Sequence, residues 1–226
     1  LSISDGYEIQ NEIYNHYSKS EEFTGWKIGC TTKVMQKYLK IPSPCLGRVM
    51  KKNILKGDSK VDFINFIRPG VECEIGVILS KEFDINTKKP LEKIIEKIIP
   101  SIEIVDDRWP DYKKEKTAIL IADDFFASSI VYGEGININD IKDLSNIRGF
   151  MSCNNSKLGE GKGSDILQDP LNALRWFLEF NFKDNNVPKA GDLISLGSIV
   201  QTYWVNQNDT IKIDLEKIGK VEVQFK

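Results

Sequence analysis

Three glutamates and one lysine carry most of the chemistry this sequence offers. In Val71-Glu72-Cys73-Glu74-Ile75-Gly76-Val77, the side chains of an extended strand alternate faces, so Val71, Cys73, Ile75 and Val77 share one side and Glu72 and Glu74 the other. Glu103 lies between Ile102 and Ile104 in a second run of strand character. Three carboxylates gathered on one side of a sheet repel one another unless a cation joins them. Their oxygens suit a hard divalent ion such as Mg²⁺ or Mn²⁺, which would keep open positions for substrate and water. The same alternation also describes a half-solvated strand, where glutamate is common. Lys27, in Gly25-Trp26-Lys27-Ile28-Gly29, is either an exposed loop lysine or one held in a pocket with its pKa lowered for proton transfer. Asp106, Asp107 and Arg108 follow Glu103, and Asp123 and Asp124 follow Ile121-Ala122. Each acidic pair fits a supporting contact, a turn or a helix cap.

Several other chemistries lack their residues. His16 is the only histidine, and a histidine beside Tyr14 and Tyr17 on a helix reads as a packing or surface residue, so a Ser–His–Asp or Cys–His mechanism has little support. Cys30, Cys45, Cys73 and Cys153 show no zinc-site spacing. They read as reduced thiols of a cytoplasmic protein. Gly159, Gly161 and Gly163 lack the βαβ context of a dinucleotide site and mark a loop or hairpin.

The elements that must position these residues are mostly strands. Val71 to Leu79, Ser101 to Val105, Asp192 to Val200, Thr210 to Leu215 and Lys220 to Phe225 read as strands; in Thr210 to Leu215, apolar Ile211, Ile213 and Leu215 alternate with Lys212 and Asp214. A first helix capped by Ser4 or Asp5 carries Ile9, Ile13, Tyr14 and Tyr17; a second covers Lys33 to Leu39. Leu91, Ile94, Ile95 and Ile98 recur at helical spacing, with Pro100 as the stop. A fourth helix runs from Pro170, a residue suited to a first helical position, to about Phe180. The pattern predicts one α+β domain over residues 1–226, β-rich and dominated by antiparallel sheet, with peripheral helices.

Composition bounds the partners. Lysine plus arginine is 31 and aspartate plus glutamate 33, a formal net charge of −2, which argues against a nucleic-acid surface. No apolar run approaches bilayer-spanning length. The sequence opens at Leu1 and enters a helical pattern almost at once, so a leading segment is expected to be missing.

Five segments resemble the fumarylacetoacetate hydrolase superfamily, in particular its 2-keto-4-pentenoate hydratase and 4-oxalocrotonate decarboxylase branch. They are Gly25-Trp26-Lys27-Ile28-Gly29, Arg68-Pro69-Gly70-Val71-Glu72-Cys73-Glu74-Ile75, Ile102-Glu103-Ile104-Val105-Asp106-Asp107-Arg108, Asp169-Pro170-Leu171-Asn172-Ala173-Leu174 and Ala190-Gly191-Asp192-Leu193-Ile194. They stand in family order, and it is their number in register that gives the match its weight. The resemblance implies a β-rich mixed roll or sandwich, with Glu72, Glu74 and Glu103 as ligands of Mg²⁺ or Mn²⁺ and Lys27 as the active-site lysine. It makes Gly197, Ser198 and Arg108 candidates for holding the substrate, and Asp123 and Asp124 candidates for helping in catalysis. The implied substrate is a small 2-oxo or 2-hydroxydienoic acid, and the implied assembly a homo-oligomer. Hydration, decarboxylation and carbon–carbon hydrolysis are all consistent with such a centre, as is a binding protein that keeps the fold.

The sequence departs from the branch at three places. Pro44-Cys45-Leu46-Gly47 stands where hydratases have Pro-Asp-Phe-Gly, so Cys45 replaces an aspartate that would help activate water. Ala122-Asp123-Asp124-Phe125-Phe126 stands in place of Ala-Asp-Asn-Ala-Ser. Asp169 occupies the position of a histidine. The metal residues are kept while the surroundings that select the reaction are altered.

Overall fold

The computed structural model describes residues 1–183 and 186–226. In chain order its helices are α1 (Ile3–Tyr17), α2 (Lys33–Leu39), α3 (Leu91–Ile94), α4 (Thr117–Ala122) and α5 (Pro170–Leu178). Its strands are β1 (Phe23–Gly29), β2 (Cys45–Met50), β3 (Ile54–Lys56), β4 (Ser59–Val61), β5 (Pro69–Leu79), β6 (Ile95–Asp106), β7 (Ala127–Tyr132), β8 (Arg148–Cys153), β9 (Ser156–Lys162), β10 (Leu193–Ser198), β11 (Tyr203–Trp204), β12 (Thr210–Leu215) and β13 (Gly219–Phe225). No helix among the described residues is long and apolar enough to cross a membrane.

Two sheets form the α+β framework expected from the sequence. One runs β2-β1-β10-β5-β6-β7-β3 with β11 added to β5; the other runs β4-β13-β12-β8-β9. The central β5–β6 pair is antiparallel along nearly its whole length, whereas β1–β10, β3–β7 and β4–β13 are parallel. One face of the first sheet, with Val71, Cys73, Ile75, Val77, Ile102 and Ile104, packs into a common core with Ile211, Ile213, Leu215, Val221, Val223 and Phe225 of the second. This burial of β-branched and aromatic side chains holds the layers together. The opposite face curls inward: β2 touches β7, and Val49, Ile99, Ile130 and Leu193 form their own cluster with Ile54 against it. That inner face also carries Glu72, Glu74 and Glu103.

Two expectations about local structure change. The helical spacing at Leu91, Ile94, Ile95 and Ile98 is helix only through Ile94; strand β6 starts at Ile95 and runs through Pro100. Ile95, Ile98, Ile99, Ile102 and Ile104 are β-branched and buried, so the pleated surface overrides the helical period. Pro100 does not end the strand because its missing N–H points to the side where β7 has already stopped. There its carbonyl accepts from Gly133 N–H. The cap of α1 is Ser2, not Ser4 or Asp5. Asp5 instead closes a reciprocal capping box with Ser2. The glycines at 159 and 161 lie on β9, paired with β8 as a hairpin.

Candidate active site

The antiparallel register of β5 and β6 sets Glu72 opposite Glu103 and Glu74 opposite Ser101. One oxygen from each of Glu72, Glu74 and Glu103 lies within 4.8 Å of the others. Glu74 and Glu103 are each 1% exposed, and Glu72 is half-buried. Burial, and then the charge of Glu103, pushes both Glu72 and Glu74 above the usual carboxylate range, Glu74 strongly so. Such an arrangement is unfavourable for a bare protein and suits a cation. Glu103 Oε1 is buried, and its partner is the ammonium of Lys27, 3.0 Å away, with no further hydrogen bond among the described residues, so the oxygen keeps acceptor capacity for a hard ion. All-carboxylate oxygen donors fit a Mg²⁺-like ion better than a thiol- or imidazole-seeking one.

Lys27 lies on β1, not in a loop, and is 3% exposed. Its ammonium donates to the Phe125 carbonyl at 2.8 Å and stands 3.0 Å from Glu103 Oε1. The pocket expectation therefore holds for place, but the direction of its pKa is reversed. Burial alone would lower it, and the charges of Glu103 and Glu72 more than reverse that, so the ammonium form is favoured. Gly47, paired with Lys27 across β2, leaves room for this contact. A Cβ there would come 2.4 Å from Asp124 O and 3.1 Å from Lys27 Cε.

The Phe125 carbonyl is presented by a turn in which Asp124, Phe125 and Phe126 all have positive φ, 51°, 51° and 67°. Three successive left-handed non-glycine residues persist only when their surroundings fix them. Arg108 does so, donating through Nε to the Asp123 carboxylate at 2.9 Å and through Nη2 to the Asp123 carbonyl at 2.9 Å. Trp109 Nε1 donates to Asp123 as well. Asp124 accepts from Arg48 N–H at 3.0 Å, and burial raises its pKa to about 6 against the opposing charge of Arg48. Arg108, Asp123 and Asp124 thus shape the turn behind Lys27 and do not line the cavity.

That cavity is open and has a volume of about 1860 Å³; its lining includes Lys27, Glu72, Phe125, Ser198, Thr202 and Trp204. Gly197 N–H is directed to Glu74 Oε2 at 3.2 Å. The Ser198 hydroxyl lies 2.6 Å from the Val200 carbonyl, so its one hydrogen has a backbone partner. Cys45 is 1% exposed within the cluster of Ile41, Leu120, Ile121 and Phe125, off the cavity lining. Asp169 caps α5, accepting from Leu171 N–H. Glu74 is held by a residue the sequence reading passed over, Ser195, whose hydroxyl donates to Oε2. Glu72 is likewise held by Thr202. The available signal was a lone hydroxyl inside an apolar strand, Ile194-Ser195-Leu196.

The model of the fumarylacetoacetate (FAA) hydrolase C-terminal region matches residues 56–226. The chain is 27% identical over its full length to 2-keto-4-pentenoate hydratase of Paraburkholderia xenovorans (strain LB400), covering 84% of that protein. It is 24% identical to a 4-oxalocrotonate decarboxylase of a Pseudomonas species, over 98% of this chain and 86% of that one. Its backbone superposes on 4-oxalocrotonate decarboxylase from Pseudomonas putida G7, a structure complexed with magnesium and adipate, with a TM-score of 0.89 at 22% identity. That alignment covers 100% of this chain and 87% of the other. The β-rich two-sheet architecture and the matched segment together place this chain in the fumarylacetoacetate hydrolase family.

Proposed function

We propose that this protein is a divalent-cation-dependent lyase acting on a small 2-oxo or 2-hydroxydienoic acid, by water addition of the 2-keto-4-pentenoate hydratase type. The observation that carries the reading is the convergence of Glu72, Glu74 and Glu103 beside a buried lysine. Glu72, Glu74 and Glu103 would hold the cation, Mg²⁺ or Mn²⁺, whose Lewis acidity would polarise the 2-oxo group. Lys27, kept as an ammonium, hydrogen-bonds the oxyanion that develops on the substrate and hands a proton to the neighbouring carbon. Arg108, Asp123 and Asp124 serve by fixing the turn whose Phe125 carbonyl orients Lys27. Gly197 serves through Glu74, and Ser198 shapes the end of β10.

Decarboxylation of a 2-oxo acid is the second reading, favoured by the position of Cys45. Hydration needs a group that activates water. Cys45 faces an apolar cluster instead of the cavity, and a thiol is a weaker base than the aspartate it replaces. Loss of carbon dioxide needs only oxyanion stabilisation and proton delivery, both within reach of Lys27. The test is a panel of 2-oxo and 2-hydroxydienoic acids with Mg²⁺ or Mn²⁺, followed by loss of dienoate absorbance and by carbon dioxide release. Cation-dependent loss of 2-hydroxypenta-2,4-dienoate without gas release supports the hydratase. Gas release from a 2-oxo diacid with no hydration supports the decarboxylase. No turnover of any member, with the cation bound, rejects the lyase reading.

A further inference from the structure

Ser101 and Ser195 are both 0% exposed, and a buried hydroxyl in an apolar sheet is costly unless bonded. They stand on the two strands that flank β5, Ser101 opposite Glu74 and Ser195 opposite Gly76. Their oxygens meet at 3.2 Å, reaching across the central strand where Gly76 has no side chain. A Cβ on Gly76 would sit 3.1 Å from Ser101 Oγ and 3.0 Å from Ile99 Cγ1, closer than packed atoms normally come. Ser195 Oγ also bonds Glu74 Oε2, which takes the Gly197 amide as well.

The hydrogen inventory gives this chain a direction. Each hydroxyl has one hydrogen, and that of Ser195 goes to Glu74 Oε2. Ser195 therefore donates to Glu74 and accepts from Ser101. The competing contact of Ser101, to the Glu74 carbonyl, is longer at 3.4 Å. We propose that Ser101 and Ser195 are a positioning pair, a hydroxyl relay over Gly76 that clamps Glu74 through Oε2 and leaves Oε1 to a divalent cation shared with Glu72 and Glu103. The inference rests on the metal reading above and adds to it how one ligand is held in place before the cation arrives. Outer-shell hydrogen bonds of this kind fix ligand orientation and raise affinity.

The experiment measures Mn²⁺ binding to the whole protein by the loss of the free-ion electron paramagnetic resonance signal. Wild type, Ser195→Ala, Ser101→Ala and the double variant are compared, with thermal unfolding of the metal-free proteins as the fold control. Ser195→Ala is expected to weaken Mn²⁺ binding by roughly 10–100-fold, and Ser101→Ala by less. The double variant is expected to bind no more weakly than Ser195→Ala, because Ser101 acts only through Ser195; a pure packing role would make the two losses multiply. Multiplying losses, or a Ser195→Ala affinity within about twofold of wild type, overturns the relay and leaves the metal reading intact. Should Ser195→Ala not fold, Ser101→Ala decides alone, and unchanged binding there overturns the relay. Failure of the wild type to bind Mn²⁺ overturns both.

Discussion

Lys27 is the residue on which charge balance and chemistry meet. Among the described residues it is the one cation paired with Glu103, at 3.0 Å, so Lys27→Met removes the proton donor and the counter-charge together. Turnover is expected to fall by roughly 10²–10⁴-fold, the range for a positioned acid–base group. Divalent-cation affinity, by contrast, should hold or rise, because the carboxylates lose their competing partner. A parallel collapse of Mn²⁺ binding would mean that the lysine is structural. Asp124 makes a second prediction at this scale. Its carboxyl, pushed to about 6 by burial, costs the ionised folded state on the order of 3 kcal/mol relative to an ordinary aspartate. Its stabilisation is complete below the unfolded pKa near 4 and is lost as pH rises through 6. Asp124→Asn, which keeps the acceptor for Arg48 N–H, should therefore raise the urea midpoint at pH 7.5 and leave it nearly unchanged at pH 4; a gain of equal size at both would refute the buried-carboxylate account. At this scale the sequence was informative where residue type met strand period, as at Glu72, Glu74 and Glu103. It was silent on partnerships set by the fold. Arg108 reads as a substrate contact until Asp123 is found against it, and Cys45 reads as a water-site residue until its apolar neighbours are known.

The elements differ in how far their local sequence determines them. Lys33–Leu39 and Thr210–Leu215 could be delimited from pattern alone, the first by Pro42 and Pro44 beyond it and the second by strict alternation. The segment from Leu91 to Pro100 could not, because its isoleucines satisfy a helical period while their branching favours a strand, and pairing with β5 decides. The Asp124–Phe126 turn is the element most dependent on tertiary context, since nothing in Asp-Phe-Phe announces three left-handed residues. It fits only because Gly47 lets its backbone pass. Gly47→Ala would drive a Cβ to 2.4 Å from Asp124 O, and overpacking of this kind costs about 1–3 kcal/mol. The turn must then shift and carry the Phe125 carbonyl away from Lys27. Turnover is expected to fall by more than the loss of folded protein explains, measured at a temperature where circular dichroism shows the variant fully folded. Full activity in that folded variant would show that the turn does not orient the lysine.

The whole molecule turns one sheet into two environments: an apolar face against the second sheet and an inner face where Glu72, Glu74, Glu103 and Lys27 gather. Alternation along β5 revealed that two faces existed. It did not reveal that the polar face would be enclosed, because that depends on β1 pairing with β10 across most of the chain. Enclosure links metal, pH and stability. Burial and the neighbouring charge of Glu103 hold Glu72 and Glu74 above the usual carboxylate range in the metal-free protein. For groups whose folded pKa is raised, the stabilisation is complete below the unfolded pKa, near 4.5, and fades as pH rises through the folded value. The metal-free protein is therefore expected to lose stability above about pH 4.5, and the burial of Asp124 adds to the same trend. A cation reverses this, because it binds the ionised carboxylates and stabilises only the folded state, by about 2.7 kcal/mol at 100 times its dissociation constant. For a chain of this size that corresponds to a rise in melting temperature of roughly 5–10 °C. The expected outcome is a Mg²⁺- or Mn²⁺-induced rise that is small at pH 4.5, large at pH 8, and much reduced at pH 8 by Glu74→Gln. A rise of the same size at both pH values, or one untouched by Glu74→Gln, would place the cation somewhere other than the three glutamates.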